Sequence, residues 1–236
     1  MTEIVWQPSP ERAERAELTR FRRAVAQAHG LALDDRARFD RPAAGNASRG
    51  PCQLGRTRYG SPVPRRSWKD VLAPGLDVVF VGYNPSRLAW QTGHHYANPG
   101  NRFYHLLHDA GLTPRRFAPA ECRDLPRIGI GLADLLHEWS PRADDFPRSA
   151  YCAALPAFHA RLARAAPRAV LLNGIGIYRI VFGRDPPRLG RDPEARLVGA
   201  PVFVAPSSSG LANGHARARL DAYRELARWL RERPAA

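Results

Sequence analysis

Lysine is almost missing from this chain. Of its 36 Lys and Arg residues, Lys69 alone is lysine, and there are only three cysteines and one methionine. Cys52, Cys122 and Cys152 are odd in number and widely spaced, which argues against a disulfide framework. Nor can they provide the thiolates of an iron–sulfur cluster. No apolar run approaches the ~20 residues needed to cross a bilayer. The opening MTEIVWQPSPERAERAE is polar and carries acids, unlike a secretory signal.

Familiar site motifs are absent as well. There is no GxxxxGK[ST], no GxSxG and no HExxH, and Gly129-Ile130-Gly131 stops short of a dinucleotide fingerprint. His94 and His95 are adjacent, and in an extended loop they would point to opposite sides. His105 and His108 can share a helix face, but no spacing around these four supports a metal site. A metal-dependent hydrolase is the remotest reading, and no metal or organic cofactor is expected.

What the chain has in excess is positive charge. Its formal charge is +14 and its pI about 10.9. A GC-rich genome explains arginine in place of lysine, but not the surplus of cations. A polyanionic partner is expected, nucleic acid ahead of an anionic membrane. A cytoplasmic protein follows, associated with the nucleoid if bacterial. Apolar content of 44% over 236 residues is enough for one real core plus an extension.

Residues 9–30 read as a helix, with Ser9 as N-cap, Pro10 in the first turn and Gly30 as the stop. Residues 31–67 are rich in Arg, Gly, Pro and Asp and show no sustained period. Residues 1–67 are therefore expected to be a basic N-terminal extension, helix plus linker, and 68–236 the main folded domain. From Trp68 onward LDVVFVG, RIGIGLADLL, RAVLLNG and APVFVAP read as strands. They alternate with helices over 101–110, 151–166 and the closing ARLDAYRELARWLRER. That alternation predicts an α/β fold: a single three-layer α/β/α domain with a mostly parallel central sheet. Ligands of such sheets sit beyond the carboxyl ends of the strands. Asn84-Pro85, Asp134, Asn173-Gly174 and the segment from Pro206 to Leu211 all fall there. Alone, Asn84-Pro85 would read as an ordinary turn.

As a set these segments resemble the mismatch-specific uracil/thymine-DNA glycosylases, a branch of the uracil-DNA glycosylase superfamily. The resemblance rests on Gly82-Tyr83-Asn84-Pro85, Gly93-His94-His95-Tyr96 and Asn98-Pro99-Gly100-Asn101-Arg102-Phe103. Pro206-Ser207-Ser208-Ser209 followed by Gly210-Leu211 extends it, and Asp70-Val71-Leu72-Ala73-Pro74-Gly75-Leu76, Gly129-Ile130-Gly131 and Asn173-Gly174 also fit, in the expected order. It runs from about Trp68 to the last helix and leaves residues 1–67 uncovered.

The resemblance implies a DNA repair enzyme that flips uracil out of a duplex, above all from G·U pairs, and hydrolyses its N-glycosidic bond. Thymine and other damaged pyrimidines are further candidates. Asn84 would position the attacking water through its carbonyl oxygen, since an amide has no proton-accepting pKa near neutrality. Backbone N–H groups of residues 83–86 and around Tyr96 would stabilise the departing anion. Tyr96 would stack on the flipped base, Leu211 would wedge into the vacated stack, and Ser207, Ser208, Ser209 and Gly210 would support it. His95 stands beside Tyr96 and fits either a bond to the base or water, or a packing role. Asn101 and Arg102 fit either a helix cap or a phosphate contact.

Departures from the family pattern concern the pocket. Tyr83 replaces the usual Ile and Ser86 the usual Gly, and Ala205 stands where some members have Asn. Ala89 is small, as in members that admit a 5-methyl group. Asp134 occupies a position usually held by Asn or Lys. It is either a true general base or a surface carboxylate or cap. Because lyase chemistry needs an amine and Lys69 lies outside every motif, a monofunctional glycosylase is expected. The partner would be double-stranded DNA with a mispaired or damaged base, with no membrane, and the protein a monomer. Single-stranded or deaminated-purine substrates, or DNA binding without chemistry, are the alternatives.

Overall fold

The computed structural model describes residues 68–140 and 145–233; for 211–213 only the backbone is described. The helix expected over 9–30 and the linker over 31–67 lie outside these residues. Strands β1 (Val78–Gly82), β2 (Ile130–Asp134), β3 (Ala169–Asn173), β4 (Gly190–Leu197) and β5 (Ala200–Ala205) form one sheet in the order β2-β1-β3-β5-β4. β1, β2, β3 and β5 are parallel, and β4 pairs antiparallel with β5 at the edge. Every residue of β1, β2 and β3 is buried, as expected of parallel strands covered on both faces.

The helices are α1 (Arg87–Thr92), α2 (Phe103–Asp109), α3 (Arg148–Ala165), α4 (Ile175–Phe182) and α5 (Ala216–Glu232). Helices α2 and α5 cover one face. There Phe80 of β1 meets Phe103 edge-on at 5.3 Å and stacks on Tyr223 at 5.4 Å. Helices α3 and α4 pack together and bury Leu155, Phe158, Leu162, Ile177 and Tyr178. The outer edge of β2 is not left open. Val71 and Leu132 exchange backbone hydrogen bonds of 2.8 and 2.9 Å, so the segment preceding β1 caps that edge.

Helix α4 was not among the expected helices, and two further elements depart from the expected pattern. β4 has the sequence GRDPEARL, whose charges and proline read as loop. It forms because an edge strand needs only one protected face, and its register shifts between Asp192 and Arg196, where Pro193 cannot donate. Val198 (φ 48°) and Gly199 (φ 86°) turn it back into β5, a pair of positive φ values typical of a two-residue hairpin turn. The other is α1, six residues within what read as an irregular loop.

The sheet order places β1 between β2 and β3. The chain leaves β1 toward one neighbour and later returns to the other, the switch point at which such sheets bind ligands. Among the described residues, no helix is long and apolar enough to cross a membrane.

Candidate active site

Beyond β1 the chain passes through Tyr83, Asn84 and Pro85 into α1. Ser86 is the N-cap, with φ −69° and ψ 166°, and its Oγ accepts the Ala89 N–H at 3.3 Å. That φ needs no glycine, so serine is accommodated here and its hydroxyl is used for capping. Ala89 is buried in α1.

The Asn84 amide is held at both ends. Its Nδ2 donates to Ser140 Oγ at 2.8 Å and to the Glu138 carbonyl at 3.2 Å, while Oδ1 accepts from the Tyr151 hydroxyl at 3.2 Å. The residues after β2 reach it because Leu135 and Leu136 continue the ladder, donating to the Gly82 and Tyr83 carbonyls at 3.0 and 2.9 Å. Tyr83 turns its ring edge-on to Tyr151 at 5.7 Å, and its hydroxyl lies over Gly176. The contacts of Tyr83 are thus with α3 and α4.

Asp134 pairs with Gly82 in register, two residues short of Asn84. It is a buried carboxyl, not a surface one. Its Oδ2 accepts the Trp68 indole N–H at 2.9 Å and lies 3.5 Å from His95 Nδ1. A Cβ on Gly82 would collide with its Oδ1, so the glycine makes room for it. The backbone of Asp134 is also clamped: its N–H donates to Asp70 Oδ1 at 3.2 Å, and Arg161 donates to its carbonyl at 2.8 Å. Arg161 and His137 lie 2.7 and 2.9 Å from the Asp70 carboxylate oxygens.

Burial pushes the Asp134 carboxyl up to about 7, helped by the Asp70 charge and opposed by Trp68, His137 and Arg161. Burial also holds His95 down to about 4. Geometry agrees with a neutral imidazole. His95 Nε2 is 3.1 Å from the Lys69 carbonyl, which can only accept, so Nε2 carries the proton and Nδ1 is a bare lone pair. That lone pair faces Asp134 Oδ2 and favours the protonated acid. His95 is only 2% exposed, with Trp68 against it at 4.5 Å. Its ring nitrogens are directed at protein groups, the Lys69 carbonyl and the Asp134 carboxyl.

Tyr96 takes φ 55°, an uncommon conformation for a tyrosine, and stacks one ring face on Phe103 at 3.9 Å. Its hydroxyl is buried beside Gly82 and has no hydrogen-bond partner among the described residues. Asn101 Oδ1 accepts the Phe103 N–H at 3.0 Å, at the start of α2. Arg102 is exposed, and its N–H donates to the Ser208 carbonyl at 2.9 Å. Asn173 and Ser208 are bonded to each other, and Gly210 packs on the Gly100 backbone. Ser209 N–H turns back to Ser207 Oγ at 3.2 Å. The loops after β1, β2, β3 and β5 thus meet at one edge of the sheet, joined by residues 93–102.

A family model settles what this convergence belongs to. The model of the uracil DNA glycosylase superfamily matches residues 69–231, which contain all five strands and every loop just described. The chain belongs to the uracil DNA glycosylase superfamily. This membership supports a glycosylase-type hydrolase acting on DNA in base excision repair.

Within the superfamily domain, the side chain of Leu211 lies outside the described residues. The histidines stand in separate settings: His95 on Asp134, His105 Nδ1 accepting from Arg116 at 3.1 Å, and His108 by Asp109 at 3.5 Å. Trp68, Asp70, Ser140, Tyr151 and Arg161 were not legible as site residues. Asp70 falls in a matching segment without an assigned role, the other four lie outside the quoted motifs, and the contacts of all five to Asn84 and Asp134 cross 27 to 67 residues of sequence.

Proposed function

We propose that this superfamily member is a mismatch-specific uracil/thymine-type glycosylase. It would release uracil from G·U pairs in duplex DNA, and thymine or other damaged pyrimidines as further substrates, and leave an abasic site. The observation that carries this reading is the Asn84 amide, fixed in orientation just beyond β1, two residues past Gly82, whose backbone lies against Asp134 and Tyr96.

The chemistry follows from those groups. Flipping a base costs a few kcal/mol, less when it is mispaired. Stacking of the base on Tyr96 offsets it by about 1–3 kcal/mol. The Ser207–Leu211 segment, anchored through Ser208 to Asn173, is placed to hold the distorted duplex, with Leu211 as the wedge. The C1′–N1 bond breaks with its electron pair passing to the base, and backbone N–H donors of the 83–86 loop stabilise the anion. Water held on Asn84 Oδ1 forms the new bond to C1′, and its proton passes to the Asp134 carboxylate. Ala89 leaves room for a 5-methyl group. No amine is assigned to attack the sugar, so the enzyme stops at the abasic site.

The test is base release from a duplex with one G·U pair, scored with and without alkali, for wild type and Asn84→Ala. Strand cleavage that needs alkali and falls steeply in the variant is expected. Equal release by both proteins, or none, would remove the assignment. Release restricted to single strands or deaminated purines would move the protein to another specificity, and DNA binding without release to a role without chemistry.

A further inference from the structure

Asn84 acts through one oxygen atom, so it matters which end of its amide faces the reacting centre. A carboxamide turned by half a revolution keeps its shape but exchanges an acceptor for a donor. The Glu138 carbonyl can only accept, and at 3.2 Å it fixes the near end as Nδ2. Ser140 Oγ accepts from the same nitrogen at 2.8 Å. The other end is met from α3, where the Tyr151 hydroxyl donates to Oδ1 at 3.2 Å. Tyr151 is 2% exposed, and its ring is locked edge-on between Tyr83 at 5.7 Å and Phe146 at 6.1 Å.

We propose that Tyr151 is a positioning residue for hydrolysis: its hydroxyl bond to Asn84 Oδ1 holds the carboxamide plane so that the second lone pair of that oxygen meets the attacking water. The inference rests on the glycosylase reading above. Rotation of an asparagine about its last torsion is soft, with broad minima. The two acceptors at Nδ2 fix the nitrogen end of the amide; a donor at Oδ1 narrows the remaining movement of the oxygen itself. The donor sits on a long helix packed against the sheet, not on a surface loop, so it is rigid. A hydroxyl serves the purpose well, since it satisfies one lone pair and leaves the other. A lysine there would bring a positive charge next to the cationic sugar of the transition state.

The variant is Tyr151→Phe, which keeps the ring and its packing, so the melting temperature is expected to stay close to wild type. Single-turnover release from the G·U duplex is expected to fall about 10- to 100-fold, the usual scale for a misplaced reacting group. Affinity for a duplex carrying a non-hydrolysable 2′-fluoro-uridine should not change. In an Asn84→Ala background the same substitution should cost nothing further, because it acts through Asn84. Ser140→Ala, read in the same way, covers the case in which phenylalanine at 151 disturbs folding. A wild-type rate in folded Tyr151→Phe, a loss of affinity in place of rate, or an undiminished loss in the Asn84→Ala background would overturn the inference. If the wild type itself releases no base, the glycosylase reading falls and this inference with it. If Asn84→Ala collapses while Tyr151→Phe and Ser140→Ala stay fast, only the positioning role is lost.

Discussion

Asn173 and Ser208 hold each other in a closed pair across 35 residues: Nδ2 donates to the serine Oγ at 2.8 Å, and the serine N–H donates back to Oδ1 at 3.1 Å. Both are buried, at 3% and 1% exposure. The pair fastens the loop after β5 to the end of β3, and Arg102 N–H adds the loop before α2 through the Ser208 carbonyl. Asn173→Ala should therefore cost about 1–3 kcal/mol, because it strands a buried hydroxyl and a buried N–H. It should also weaken DNA affinity more than it slows the committed chemical step, since Asn84 is held by other residues. Chemical denaturation together with binding and single-turnover assays separates the two effects. A loss confined to the chemical step would show that the pair does not serve the DNA-facing loops.

Gly82 is a second point where the backbone decides the site. A methyl group there runs into Asp134 Oδ1 and comes within 3.4 Å of the Tyr96 hydroxyl. Gly82→Ala is expected to destabilise the protein by about 1–3 kcal/mol, as overpacking does in a close-packed interior. It should also lower excision, because the Asp134 carboxyl is displaced. Gly214→Ala is the control: a methyl group there meets open space, and its effect on stability should stay within about 0.5 kcal/mol. Thermal melts of the two variants beside the wild type check both expectations.

The parallel strands were legible because VVFVG, IGLAD and AVLLN are short apolar runs followed by turn residues, the pattern of strands buried on both faces. β4 was not, because GRDPEARL lies at the edge and turns charged side chains outward. Asn84 and Asp134 could be placed at strand ends, which is where chemistry collects in this fold. What surrounds them could not be read. Tyr151 lies 67 residues from Asn84, and Arg161 lies 91 from Asp70. No local period encodes such pairs. The tautomer of His95 was likewise not readable from the sequence, since it is set by the Lys69 carbonyl.

The state of Asp134 gives a prediction with a definite sign. Its carboxyl is raised to about 7, so near neutrality roughly half of it is protonated. A general base must be ionised, so the excision rate should rise about tenfold per pH unit below 7 and level off above it. Asp134→Asn should flatten that limb and lower the plateau. Stability should run the other way. The folded state binds the Asp134 proton more tightly than the unfolded chain, so this stabilisation is complete below about 4 and is lost as pH rises through about 7. His95, lowered to about 4, opposes it: its contribution is present above the ordinary histidine range and is lost as pH falls through about 4. Asp134→Asn should therefore gain stability relative to wild type on going from pH 5 to pH 8, while its activity stays low. Asp70, His137 and Arg161 face the same carboxyl, so Asp70→Asn should move the rising limb to lower pH by removing a neighbouring negative charge. A pH–rate profile of wild type, Asp134→Asn and Asp70→Asn measures all three effects. A wild-type profile flat from pH 5 to pH 8, with excision undiminished in Asp134→Asn, would confine Asp134 to a packing role and leave Asn84 to direct the water alone.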